Sequence, residues 1–211
     1  MRMVERWKHA WQLPAFRRQF WITFPVLVAV LFTFSKFLEW VERREGIVLQ
    51  DPILPLLHPY DFTWIIFAFV YGGIVLGLAV LSTRPVRLVI ALQGYCLLVL
   101  VRMVAMFLVP LNAPPGIIPL IDPIVQYFGS GAVLTKDLFF SGHTAILVLL
   151  SLASGDRFYK AIFTISATIV AVLITWQHVH YTIDVLSAPF FALGSFHLIV
   201  LQQQRSGLTR G

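Results

Sequence analysis

Charge is what this chain has least of. Of its 211 residues 12% are Asp, Glu, Lys or Arg, and 58% are hydrophobic. A soluble domain carries roughly a quarter of charged residues, so a water-soluble single domain is excluded. Cysteine is nearly missing too. Cys96 stands alone inside an apolar run, so no disulfide forms within the chain and cysteine usage says nothing of redox compartment. Low-complexity segments and internal repeats are absent. The first apolar run has no small-residue cleavage site after it, so it reads as a retained span and not a signal peptide. The net charge of +6 does not point to nucleic acid, because the basic residues are scattered at the ends of apolar runs.

What the chain does have is apolar length. A spanning helix needs about 20 mostly apolar residues, and six stretches suggest themselves, near 20–34, 62–81, 88–109, 138–153, 158–176 and 181–201. The expected fold is therefore all-α and integral to the membrane, with six transmembrane helices. Three segments follow: a basic amphipathic N-terminal piece (1–19), a six-span membrane catalytic domain (20–201) and a polar C-terminal tail (202–211). In the first piece, Arg2, Arg6, Lys8, Arg17 and Arg18 alternate with Trp7, Trp11 and Phe16. That mixture suits a helix on an anionic membrane surface, or equally a basic flank orienting the first span. Gly72, Gly73 and Gly77 in the second span would permit close helix packing. The connection 110–137 is long, rich in proline and apolar. Connections of that length are usually functional or disordered, and its apolar content favours a place at the membrane interface beside the site.

Basic residues set the orientation. With both termini cytoplasmic, eleven Lys and Arg fall inside and four outside (Lys36, Arg43, Arg44 and Lys136), with Arg102 within a span. This choice puts the starts of the fourth and sixth spans on the same, extracytoplasmic side. The compact form, without a cytosolic domain, suggests a bacterial inner membrane.

Those two starts carry the polar residues that the rest of the chain avoids: Asp137-Leu138-Phe139-Phe140-Ser141-Gly142-His143-Thr144 and His178-Val179-His180-Tyr181-Thr182-Ile183-Asp184-Val185. Ionisable groups at the mouth of a span are costly, so function is the default suspicion. His180 and Asp184 are four apart, one helical turn. The carboxylate there can fix the imidazole tautomer and leave the other nitrogen as nucleophile or base. His143, from another helix start, can protonate a leaving oxygen. Arg102, about two turns below the outer end of its span, is either a bidentate phosphate ligand or an ion partner for Asp61 or Asp137. Ser141, Gly142 and Asp137 offer anion contacts at a helix start, or merely a cap. Gly129-Ser130-Gly131 reads as a turn, with an anion nest as the alternative.

The two stretches resemble the signature motifs of the sphingomyelin synthase family, a branch of the type 2 phosphatidate phosphatase superfamily. The family pattern is an Asp shortly before Ser-Gly-His-Thr, then His-Tyr-Thr-x-Asp-Val. Arg87, Gly94, Tyr95 and Arg102, with Leu54-Pro55 and Asp61, resemble its other motifs more loosely. The resemblance implies a six-span enzyme that moves a phospholipid headgroup through a phosphohistidine, without a metal or other cofactor. His180 would be the nucleophile, Asp184 its orienting acid and His143 the general acid, with Arg102, Ser141, Gly142, Asp137 and Tyr181 about the substrate phosphate. Its partners would be a phospholipid donor and water, ceramide or diacylglycerol as acceptor. Arg84-Pro85 lacks the lysine that leads the Arg-Pro motif of the ordinary phosphatases, which favours the synthase-like branch. An alternative is an intramembrane serine protease of the rhomboid kind, with Ser141 and the sixth-span His as its pair. A metal carrier using His143, His178, His180 and Asp184 is weakened by the His-x-His alternation, which sets those two rings on different faces.

Overall fold

The computed structural model describes residues 3–122 and 133–206. Its helices in chain order are α1 (Met3–Gln12), α2 (Pro14–Arg43), α3 (Thr63–Ser82), α4 (Pro85–Leu108), α5 (Gly142–Ser154), α6 (Arg157–Trp176) and α7 (Thr182–Arg205). A turn of 3-10 helix at Leu54–Leu56 and an isolated bridge between Ile47 and Leu111 complete the regular structure among the described residues. Arg2, Pro123, Ile124, Val125, Gly129-Ser130-Gly131 and residues 207–211 of the polar tail lie outside them.

Five helices (α2, α3, α4, α6 and α7) are long and apolar enough to cross a membrane. The 20 residues of α3 extend about 30 Å at 1.5 Å per residue, the thickness of the hydrocarbon core. Their outward faces are apolar: Phe32, Val75, Phe107 and Phe190 are each more than half exposed. Apolar surface this continuous suits lipid and not water. The protein is an integral membrane protein.

The fourth expected span differs. Its helix, α5, has 13 residues, about 20 Å, and begins at Gly142 instead of near 138. The chain before it passes through two left-handed residues, Phe139 (φ 60°) and Phe140 (φ 55°), a conformation uncommon for residues with a Cβ. Ser141 then caps the helix, its Oγ accepting the Thr144 N–H at 3.2 Å. Length and apolarity thus qualify five helices as spans, and the expected count of six is not reproduced by this measure. A short helix is tolerated because α3, α4, α6 and α7 all pack around α5, so protein and not lipid meets its ends.

Close packing on α5 depends on two of the three α3 glycines. A Cβ on Gly73 would lie 2.5 Å from Leu147 Cδ2, and one on Gly77 would lie 2.6 Å from Leu150 Cδ2. Gly72 faces open space. At the far end of α5, Arg84 Nη1 donates to Ser154 O at 2.6 Å and Arg87 Nη1 to Ala153 O at 3.4 Å. These two cations neutralise a helix C-terminus, so Arg87 is engaged at the end of the bundle remote from both His motifs. At that same end the aromatic face of α1 is turned onto the bundle: Trp7 and Trp11 pack with Phe16, Val89 and Ile199, and Trp7 Nε1 donates to Ser82 O at 2.7 Å.

The opposite end gathers the connections. Ile47 bridges Leu111, and Gln177 binds Phe62 N, Thr63 Oγ1 and Ile118 O with its side chain. Glu42, at the end of α2, accepts from Thr135 N, Thr135 Oγ1 and Lys136 N. These ties hold the described parts of the long connection over the mouth of the bundle, where both His motifs also lie.

Candidate active site

The second motif is organised by the start of α7. Tyr181 is its N-cap residue, and Asp184, in the first turn, accepts the Tyr181 N–H through Oδ2 at 3.3 Å. The same Oδ2 lies 3.1 Å from His180 Nδ1. His180 therefore precedes the helix and meets Asp184 through the capping turn, not along a helical face as the four-residue spacing alone implies. A carboxylate facing Nδ1 favours the tautomer with the proton on that nitrogen, which leaves Nε2 as the ring's acceptor. Both side chains are buried. Backbone links the two motifs directly: Ser141 N donates to Asp184 O at 2.9 Å.

His143 is the second residue of α5. Its ring meets Phe67 edge-on with centroids 6.0 Å apart, and its buried Nδ1 has no hydrogen-bond partner among the described residues. Arg102 comes from α4 and is 7% exposed. Its Nη2 pairs with Asp137 Oδ1 at 2.9 Å, and its Nε donates to Phe140 O at 3.2 Å. The left-handed Phe139-Phe140 turn aims that carbonyl at the guanidinium. Of the two partners considered for Arg102, Asp137 is the one found; Asp61 instead accepts the Thr63 N–H at 2.9 Å just before α3. Gly142 explains itself here, since a Cβ on it would fall 2.2 Å from Arg102 Nη1.

A cavity of about 320 Å³ joins these groups, within the range of small-ligand sites. His143, His180, Arg102, Asp137 and Gly142 line it together. Its apolar walls come from α2 (Phe34, Leu38), α3 (Phe67, Val70) and the long connection (Ile117, Leu120). Asp184 stands behind His180. Ser141 and Tyr181 do not line the cavity: Ser141 is spent on its cap, and the Tyr181 hydroxyl donates to Asn112 O at 2.9 Å and accepts from Leu49 N at 3.2 Å. His178, left-handed at φ 59°, uses Nδ1 on Pro115 O at 2.9 Å. Among the described residues, no group of three or more His, Cys, Asp or Glu is placed to hold a metal ion.

Sequence reasoning missed Tyr71 and Asp122, which are hydrogen-bonded to each other on the cavity wall. A lone polar ring within a span and a carboxylate within an apolar connection were the available signals. It also missed Asp51, whose partner is 131 residues away in the chain; no sequence pattern marks such a pair.

No curated protein matches the chain. A family model described as PAP2 superfamily C-terminal matches residues 136–201, a stretch that holds both His motifs, helices α5 and α6 and most of α7. That stretch, under half of the chain, is similar to the type 2 phosphatidate phosphatase superfamily, and the match does not single out the sphingomyelin synthase branch.

Proposed function

We propose that the protein is a membrane lipid phosphotransferase or lipid phosphatase that acts through a phosphohistidine on His180, in the manner of the sphingomyelin synthases. His180 Nε2 attacks phosphorus; the N–P bond forms as the P–O bond to the departing alcohol breaks. His143 gives that alcohol its proton. In the second half, an acceptor hydroxyl attacks the phosphohistidine, His143 takes the hydroxyl proton, and the N–P bond breaks. Asp184 holds Nδ1–H throughout and stabilises the imidazole as its charge changes. Arg102, a planar donor fork, matches phosphate oxygens, with Asp137 setting its angle. The acceptor is water, ceramide or diacylglycerol. With α5 taken as a sixth, short crossing and both termini cytoplasmic, the reaction faces the extracytoplasmic leaflet.

One observation carries this reading. His180, already paired with Asp184, opens onto the same 320 Å³ cavity as His143 and Arg102. The matched residues 136–201 support the same class of chemistry. The rhomboid alternative loses support, because the Ser141 hydroxyl accepts from Thr144 N and is outside the cavity.

The test is lipid mass spectrometry on purified protein in liposomes holding phosphatidylcholine, phosphatidylethanolamine, phosphatidylglycerol and phosphatidic acid. Each is presented with and without ceramide or diacylglycerol, and His180→Ala is the control. A headgroup-bearing product that needs the acceptor identifies a transferase. Loss of phosphate or headgroup without an acceptor identifies a phosphatase or a phospholipase C. No lipid change with wild type in any mixture would refute the proposal.

A further inference from the structure

Asp51 sits in the connection between α2 and α3, outside both His motifs and outside the cavity. Yet its carboxylate touches the second motif directly. Oδ2 accepts the Thr182 N–H at 2.7 Å, and Oδ1 accepts the Thr182 hydroxyl at 2.9 Å. The same Oδ1 takes Ile53 N at 2.9 Å and Leu54 N at 3.1 Å. One side chain thus closes the 3-10 turn at Leu54–Leu56 and holds the first residue of α7.

We propose that Asp51 is a positioning residue that fixes the His180–Asp184 pair against the cavity; this rests on the proposed phosphohistidine chemistry. Thr182 lies between the two members of that pair. Without Asp51, its N–H is an unsatisfied donor at a helix start, and the turn carrying His180 loses its outer anchor. A second tie to the same turn is Tyr181, whose hydroxyl accepts from Leu49 N and donates to Asn112 O. Asparagine cannot replace the carboxylate. It has one acceptor oxygen for donors on two sides, and its NH2 would face an N–H group. A misplacement of about 1 Å at a reacting group lowers a rate by about 10²-fold. Since Asp51 does not line the cavity, substrate binding should be spared.

The full chain in liposomes is compared as wild type, Asp51→Asn, Thr182→Val and the double variant. Asp51→Asn should lower kcat by about 10- to 100-fold with KM unchanged. Thr182→Val leaves the 3-10 turn intact and should lower kcat less. The double variant should be no worse than Asp51→Asn, because both act through one contact. Alongside, 15N-histidine NMR reads the His180 Nδ1–H, which should be lost or shifted in Asp51→Asn while the other histidine signals stay. Unchanged kcat, a rise in KM alone, additive effects, or an unmoved His180 signal would each overturn the proposal. If wild type turns over no lipid, the phosphohistidine reading fails by itself, and the His180 signal still decides the role of Asp51.

Discussion

Gly142→Ala tests whether Arg102 is held where a phosphate needs it. The added Cβ would meet Arg102 Nη1 at 2.2 Å, Cζ at 2.6 Å and Nη2 at 3.1 Å. A carbon–nitrogen contact needs roughly 3.5 Å, so the guanidinium must retreat by about 1 Å. A free arginine would do so at little cost. This one is fastened at 2.9 Å to Asp137 Oδ1 and at 3.2 Å to Phe140 O, and it lies over the Phe34 and Phe140 rings. Retreat breaks at least one of those ties. Overpacking of this kind costs about 1–3 kcal/mol in stability. Loss of a charge-assisted hydrogen bond to phosphate costs about 1.5–3 kcal/mol in binding, or about 10- to 150-fold in kcat/KM. The assay is phosphate-ester turnover in liposomes, with thermal unfolding in detergent measured beside it. Gly72→Ala is the control, because that position faces open space. Wild-type kcat/KM in a folded Gly142→Ala protein would refute the reasoning.

Three further outcomes are expected. Ser141→Ala should reduce stability by about 1 kcal/mol through the lost α5 cap and keep most turnover, whereas His143→Ala should lower the rate by about 10²- to 10⁴-fold; the reverse ranking in the lipid assay would refute the general-acid role of His143. Gly77→Leu should destabilise the bundle by about 1–3 kcal/mol or more, since Leu150 already fills the space beyond that glycine, and an unchanged thermal midpoint would contradict the α3–α5 contact. For Asp51, partial burial pushes the pKa up, but hydrogen bonds from Thr182, Ile53 and Leu54 outweigh this and hold it below 3.8. Its contribution to stability is then complete above the unfolded-state pKa and lost as pH falls through the lower folded value. Asp51→Asn should therefore melt below wild type at neutral pH, with the gap narrowing below about pH 4; a constant gap down to about pH 3 would refute it.

Sequence alone determined the environment and which polar residues to single out. Apolar runs near 20 residues dictate spanning helices wherever they occur, because backbone polar groups in hydrocarbon must bond within their own segment. Scarce polar residues in such a chain are conspicuous, so His143, His180, Asp184 and Arg102 could be picked out by their cost. The His180–Asp184 spacing made that pair legible as well, since its contact is local. What the sequence could not supply was every choice made between distant segments. Arg102 had two candidate carboxylates, and only packing selected Asp137. Asp51 reaching Thr182, and Arg84 and Arg87 capping α5, join residues that share no local pattern. The shortened α5 is of the same kind: a left-handed Phe139-Phe140 turn opposes local preference and is held by the contacts that Phe140 makes with Arg102 and Phe191. Composition and spacing report the solvent and the near neighbours of a residue, whereas register between helices is a property of the assembled bundle, and here it decided which polar groups share the cavity.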